Sequence, residues 1–155
     1  MLDADHWLWR LSDRDWLAAA ERELELGRER ISTRRTAITH ARRAAGMALN
    51  GVLVTMAARG WSRERCETIW GRSYVEHLRA IAEPKPSSPE PLAPEHAQAC
   101  RTLLAIPVMP HTGLVSLAAR RDEAASQALA AADAIVRACA AKIERLPEPS
   151  GEPNN

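Results

Sequence analysis

Apolar residues recur along this chain at three- and four-residue intervals, with no strand-like alternation, so the pattern is helical throughout. The first stripe is Leu17, Ala20, Leu24 and Ile31, on a helix predicted over residues 12 to about 30. Ser12 followed three residues later by Asp15 is a capping-box variant, with Asp in place of the usual Glu or Gln. Trp7, Leu8 and Leu11 precede this helix and are expected to fold over one end of the core.

A wider face follows. Ala37, Ala41, Ala44, Ala45, Ala48, Leu49, Val52, Leu53 and Met56 place a second helix from Ser32 or Thr33 to about Ala58. So broad a face of small residues suits the middle of a bundle. Gly46 and Gly51 inside it each cost roughly 1 kcal/mol against alanine, a cost that close packing on a neighbouring backbone would explain. Gly60, free to take positive φ, ends the element. Ser62 caps a short helix over residues 62–70, Gly71 interrupts, and Ser73 opens another that reaches about Glu83.

The proline-rich segment 84–94 predicts a surface loop. Pro94 then opens a short helix that stops before Pro107, and residues 108–113 form a turn. Residues 114–145 contain no Pro or Gly, and Leu114, Leu117, Ala124, Ala128, Ala131, Ile135, Ala138, Cys139 and Ile143 run along one face. At 1.5 Å per residue that helix approaches about 48 Å. The expected architecture is an all-α, up-and-down bundle over residues 12–146, with a cover segment at 1–11 and a disordered tail at 147–155.

Composition narrows the picture further. One domain is expected from 155 residues, and a net charge of +1 excludes a polycation drawn to any nucleic acid. Phe is absent, so alanine, leucine and five tryptophans must build the core. The three cysteines, Cys66, Cys100 and Cys139, lie far apart without a C-x-x-C pair. That argues against a disulfide framework or a zinc site and for a reduced, cytoplasmic setting. The acidic N-terminus is no signal peptide, and no apolar run reaches the roughly 18 residues of a membrane span, so no membrane partner is expected.

Candidate chemistry centres on arginine and histidine. Arg72 and His77 form an Arg-x4-His pair, which can be a small metal-free ribonuclease centre. Arg34 and Arg35 stand at related spacings before His40, and about two such pairs are expected by chance. Five residues on a regular helix diverge by about 140°. Yet Ser73 and Glu76 form a Ser-x-x-Glu capping box, which puts Arg72 and His77 at flanking positions that can meet. There, His77 would take the proton of an RNA 2′-hydroxyl and Arg72 would stabilise charge on the phosphate. The structural alternative has His77 packing on the chain that enters its helix. For His40 the expectation is a partly buried ring bonded to a neighbouring helix. A second cluster, Arg28, Arg30, Arg34, Arg35, Arg42 and Arg43, is read as a phosphate- or partner-binding patch, or else as a solvated face. No phosphate loop, catalytic triad or metal motif is present, and no cofactor or metal is implied.

Four segments together resemble the HEPN domain family, named for higher eukaryotes and prokaryotes and for nucleotide binding. They are "LAAAERELELGRERI", "TAITHARRAAGMALNGVLV", "EHLRAIA" and the closing "DEAASQALAAADAIVRACAAKI". The resemblance covers roughly residues 12–146 and implies an up-and-down bundle that often forms a homodimer. Many members of that family partner minimal nucleotidyltransferases in toxin–antitoxin pairs. Others are metal-independent ribonucleases whose Arg-x4-6-His site is completed across a dimer cleft, and some have lost the motif and act as binding modules. Catalytic members carry the motif at the closing helix, often as Arg-Asn-x3-His-x-Tyr. Here Ser73 replaces the Asn, Arg79 stands where the Tyr would be, and Arg120 and Arg121 of the closing helix have no following histidine. His77 instead matches the histidine-leucine pair that opens the family's third helix. The favoured expectation is therefore a non-catalytic binding or adaptor module, partner of a nucleotidyltransferase or of a nucleic-acid-related complex. A ribonuclease toxin using Arg72 and His77 is the alternative, and a structural bundle holding a small ligand the third.

Overall fold

The computed structural model describes residues 7–85, 92, 94–107 and 117–145. Most of the proline-rich segment, the turn over 108–113 and the tail over 147–155 lie outside the described residues. Within them the chain is all-α. A short 3-10 turn, Trp7–Trp9, leads to α1 (Asp13–Glu29), α2 (Arg34–Ala58), α3 (Arg63–Trp70), α4 (Tyr74–Ala82), α5 (Pro94–Ala105) and α6 (Leu117–Arg145). None of these helices is long and apolar enough to cross a membrane.

Serine hydroxyls start three of them. Ser12 Oγ accepts from Asp15 N at 3.1 Å and Ser62 Oγ from Arg65 N at 3.0 Å. Ser73 makes the full reciprocal capping box with Glu76. Each cap satisfies a backbone donor that would otherwise be orphaned at a helix start.

α2 is the axis. Every residue from Ala44 to Leu53 is buried, polar Asn50 included. A helix apolar on all sides has to be wrapped by others, and α1, α4 and α6 do most of the wrapping. Small side chains let them come close. A Cβ placed on Gly51 would stand 3.2 Å from the Asp13 carbonyl oxygen, the close backbone approach expected there. Gly46 differs, because its neighbour is a side chain: a Cβ there would collide with the Tyr74 ring.

α1 settles in a slightly different rotation from the predicted stripe. Trp16, Ala20, Glu23, Leu24 and Gly27 face inward. Leu17 is only half-buried, and Ile31 falls beyond the helix and is exposed. Trp16 decides this, since its Nε1 donates to the Leu8 carbonyl at 3.0 Å and pins the cover segment. Leu8 is fully buried beneath that cover, and Trp7 packs edge-on against both Trp16 and Tyr74.

The three cysteines are free and buried, acting as small hydrophobes. Burial pushes the Cys66 thiol up to about 11 and the Cys100 thiol up to about 12. It raises Cys139 well above the ordinary thiol range. None has the lowered pKa of a reactive nucleophile.

Replacing Gly46 by alanine tests the packing on α2. Helix propensity alone favours Ala by about 1 kcal/mol, but overpacking against a stiff ring costs about 1–3 kcal/mol. Gly46→Ala is expected to lower the melting temperature followed by circular dichroism. A higher melting temperature would mean that Tyr74 yields without cost.

Candidate functional site

The start of α4 holds the Arg72 and His77 pair. Gly71, at φ 78°, turns the chain out of α3. Its Cβ-free backbone lies against Glu76, where a side chain would collide. Glu76 N donates to Ser73 Oγ at 3.2 Å. In return Glu76 Oε2 accepts from Ser73 N at 2.8 Å and Arg72 N at 2.9 Å. These backbone donors, Arg72 first, hold the Glu76 carboxyl below its ordinary value.

One helical turn inside this box, His77 points into the core and is 1% exposed. Its Nδ1 is 2.7 Å from the Trp70 carbonyl oxygen and its Nε2 is 2.7 Å from the Asn50 side-chain amide. A carbonyl can only accept, so Nδ1 carries a proton. Nε2 faces Asn50 Oδ1, and the buried Nδ2 of the same amide makes no hydrogen bond among the described residues. The ring thus ties α2 and α4 to the last residue of α3. Beside it lies a cavity of about 10 Å³ walled by Leu49, Val52, Leu53, Trp70 and Ile81. That is room for about one water molecule.

Arg72 turns elsewhere. Its guanidinium is about half exposed and its Nε lies 3.7 Å from Glu67 Oε1. Glu67 also accepts from Trp9 Nε1 at 3.0 Å. The two side chains therefore meet different partners, one on the surface of α3 and the other in the core.

The arginine cluster is divided in the same way. Arg28 pairs with Asp133 at 3.2 Å, tying α1 to α6. Arg34 donates to the Pro107 carbonyl. Arg42 donates to the carbonyls of Leu103, Leu104 and Ile106, capping the C-terminal end of α5. Its pKa is lowered by burial. Arg43 pairs with Glu23 at 3.3 Å. Arg30 and Arg35 are exposed, with no side-chain partner among the described residues. The continuous stretch of charge in the sequence thus becomes mostly helix-to-helix fastening.

Glu23, Asn50 and Tyr74 were not singled out by sequence reasoning. Glu23 is buried between α1 and α2, and its Oε2 lies 2.5 Å from His40 Nδ1. His40 thus has the neighbouring-helix bond expected of it. Tyr74 lies near this group. Burial raises its phenol pKa, Arg43 lowers it and Glu23 raises it. One carboxylate thus contacts both His40 and Arg43, which holds α1 against α2. A signal was available for two of these residues. Glu23 lies one position from Leu24 on the buried face of α1, and Asn50 interrupts the apolar run of α2. A polar residue on a buried face must find a partner.

Among the described residues no three His, Cys, Asp or Glu side chains gather as a metal ion would require. Comparison with protein-family models, curated proteins and solved structures gave no match.

Two predictions follow from this geometry. Truncating His77 to alanine leaves two buried partners unsatisfied and a void, so His77→Ala is expected to cost on the order of 3 kcal/mol in urea unfolding. Combined with Asn50→Ala, it is expected to show a coupling above about 0.5 kcal/mol. Strict additivity would mean that the amide and the ring do not bond. For Glu76 the folded pKa is depressed below 4.5. Its stabilisation is therefore full above the ordinary carboxyl range and is lost as pH falls through the folded value. The melting temperature of Glu76→Gln should lie below that of the parent at neutral pH, with the gap closing in acid. The gap is small, because solvent screens an exposed carboxylate. A gap that widened in acid would refute this assignment.

Proposed function

We propose that this chain is a non-catalytic helical binding module of the HEPN kind, partner of a nucleotidyltransferase or of a nucleic-acid-related complex. The observation that carries this reading is the placement of His77. A general base needs a free nitrogen within reach of the substrate, and both His77 nitrogens are bonded inside the core. Its arginine is paired with Glu67 instead.

What remains for binding lies at the turn between α1 and α2. Arg30 and Arg35 are exposed there, and the first turn of α2 contains no acidic residue. Guanidinium forks at a helix N-terminus favour carboxylate or phosphate groups on a partner. A homodimer, which the resemblance also implies, would not use the inward alanines of α6, although Ala130 and Ala134 of that helix are exposed. Ala125, Ala128, Ala131 and Ala132 are already buried within the chain.

The test is incubation of the purified chain with labelled RNA in EDTA. No cleavage is expected from the parent protein. Cutting by the parent that is abolished in Arg72→Ala, with the helical spectrum unchanged, would establish the ribonuclease reading in its place.

A further inference from the structure

An open groove of about 470 Å³ lies between α5 and α6, beside the first residue of α2. That volume is in the range of small-molecule sites. Among the described residues two guanidinium groups line it, those of Arg34 and Arg101, and no carboxylate does.

Both are held in place by neutral oxygens. Arg34 Nε and Nη2 donate to the Pro107 carbonyl at 3.3 and 2.9 Å. Arg101 Nη1 donates to the Ala82 carbonyl at 3.0 Å, while its Nε and Nη2 donate to Gln98 Oε1 at 3.2 and 3.1 Å. Carbonyl oxygens orient a guanidinium without cancelling its charge. Among the described residues neither arginine is in an ion pair, whereas Arg28, Arg43 and Arg72 each face a carboxylate. The partial negative charge at the end of α5 does not fill this role, because Arg42 already binds its carbonyls at Leu103, Leu104 and Ile106.

The rest of the wall is mixed. Thr102 and Gln127 add polar groups, and Ile106, Pro107 and Ala124 add an apolar side. We propose that this groove binds a small amphipathic anion, a carboxylate or phosphate monoester carrying a short apolar body. The inference stands apart from the binding-module reading, since it uses neither Arg30 nor Arg35.

The full chain can be titrated with hexanoate, hexyl phosphate, inorganic phosphate and neutral hexanamide, followed by calorimetry and by amide chemical shifts. Saturable binding of at least one hexyl anion is expected, with shifts gathered on α5, on α6 around Gln127 and at Arg34. The tighter of the two identifies the head group. Hexanamide and inorganic phosphate are expected to bind at least about tenfold more weakly. Gln127 is exposed and makes no side-chain bond among the described residues. Gln127→Glu should therefore leave the melting temperature unchanged while weakening the anion at least about fivefold. Absence of saturation by both anions at about 10 mM would overturn the proposal. So would hexanamide binding as tightly as the anions, or an affinity unaltered in Gln127→Glu.

Discussion

A helix buried on every side must carry small side chains where its neighbours come closest. α2 obeys that constraint from Ala44 to Leu53, and the other helices take their positions from it. Interaxial distances of about 8–10 Å leave little space between backbones. Gly51 admits the carbonyl of Asp13, and Gly46 admits the ring of Tyr74. The glycines weaken α2 as an isolated helix by roughly 1 kcal/mol each, and the packing they permit has to outweigh that. Asn50 imposes a second condition on the same helix. A fully buried amide needs a partner, and His77 supplies it from α4. Because His77 also reaches the last carbonyl of α3, one imidazole fixes the relative placement of three helices.

The arginines extend this logic outward. Helix ends leave carbonyls unpaired, and a long side chain with several donors can reach them from a neighbouring helix. Arg42 does so for α5 and Arg101 for the end of α4 at Ala82. Arg28 and Arg43 close ion pairs between helices. The net charge of +1 reflects 21 Lys and Arg against 20 Asp and Glu, and these two pairs place some of those opposite charges side by side between helices.

Much of the fold was legible because helix starts are written locally. Ser12, Ser62 and Ser73 each announce a helix within three residues, and the broad face of α2 announces its central place. The rotation of α1 was not legible. Trp16 and Leu17 are adjacent, both are apolar, and only the long-range bond from Trp16 to Leu8 turns one inward. The candidate site was harder for the same reason. Arg-x4-His has one spacing whether the ring faces solvent or core, and the deciding partner, Asn50, lies 27 residues away. The arginine cluster misled in the opposite direction. Residues contiguous in sequence radiate around a helix, so neighbours such as Arg42 and Arg43 serve different helices.

These commitments bear on how the protein can recognise anything charged. With so small a net charge, long-range attraction contributes little to encounter, and a Debye length of about 8 Å confines what remains to the local surface. Recognition then depends on individual guanidiniums whose charge is not already answered. Among the described members of the cluster these are Arg30 and Arg35 at the α1–α2 turn and Arg34 at the groove, where Arg101 joins it. Within the cluster these guanidiniums are few and separated from one another. A polyanion needs a continuous row of phosphate contacts for affinity. Arg28, Arg42 and Arg43 of the cluster are engaged in fastening helices, which breaks up such a row at this end of the bundle.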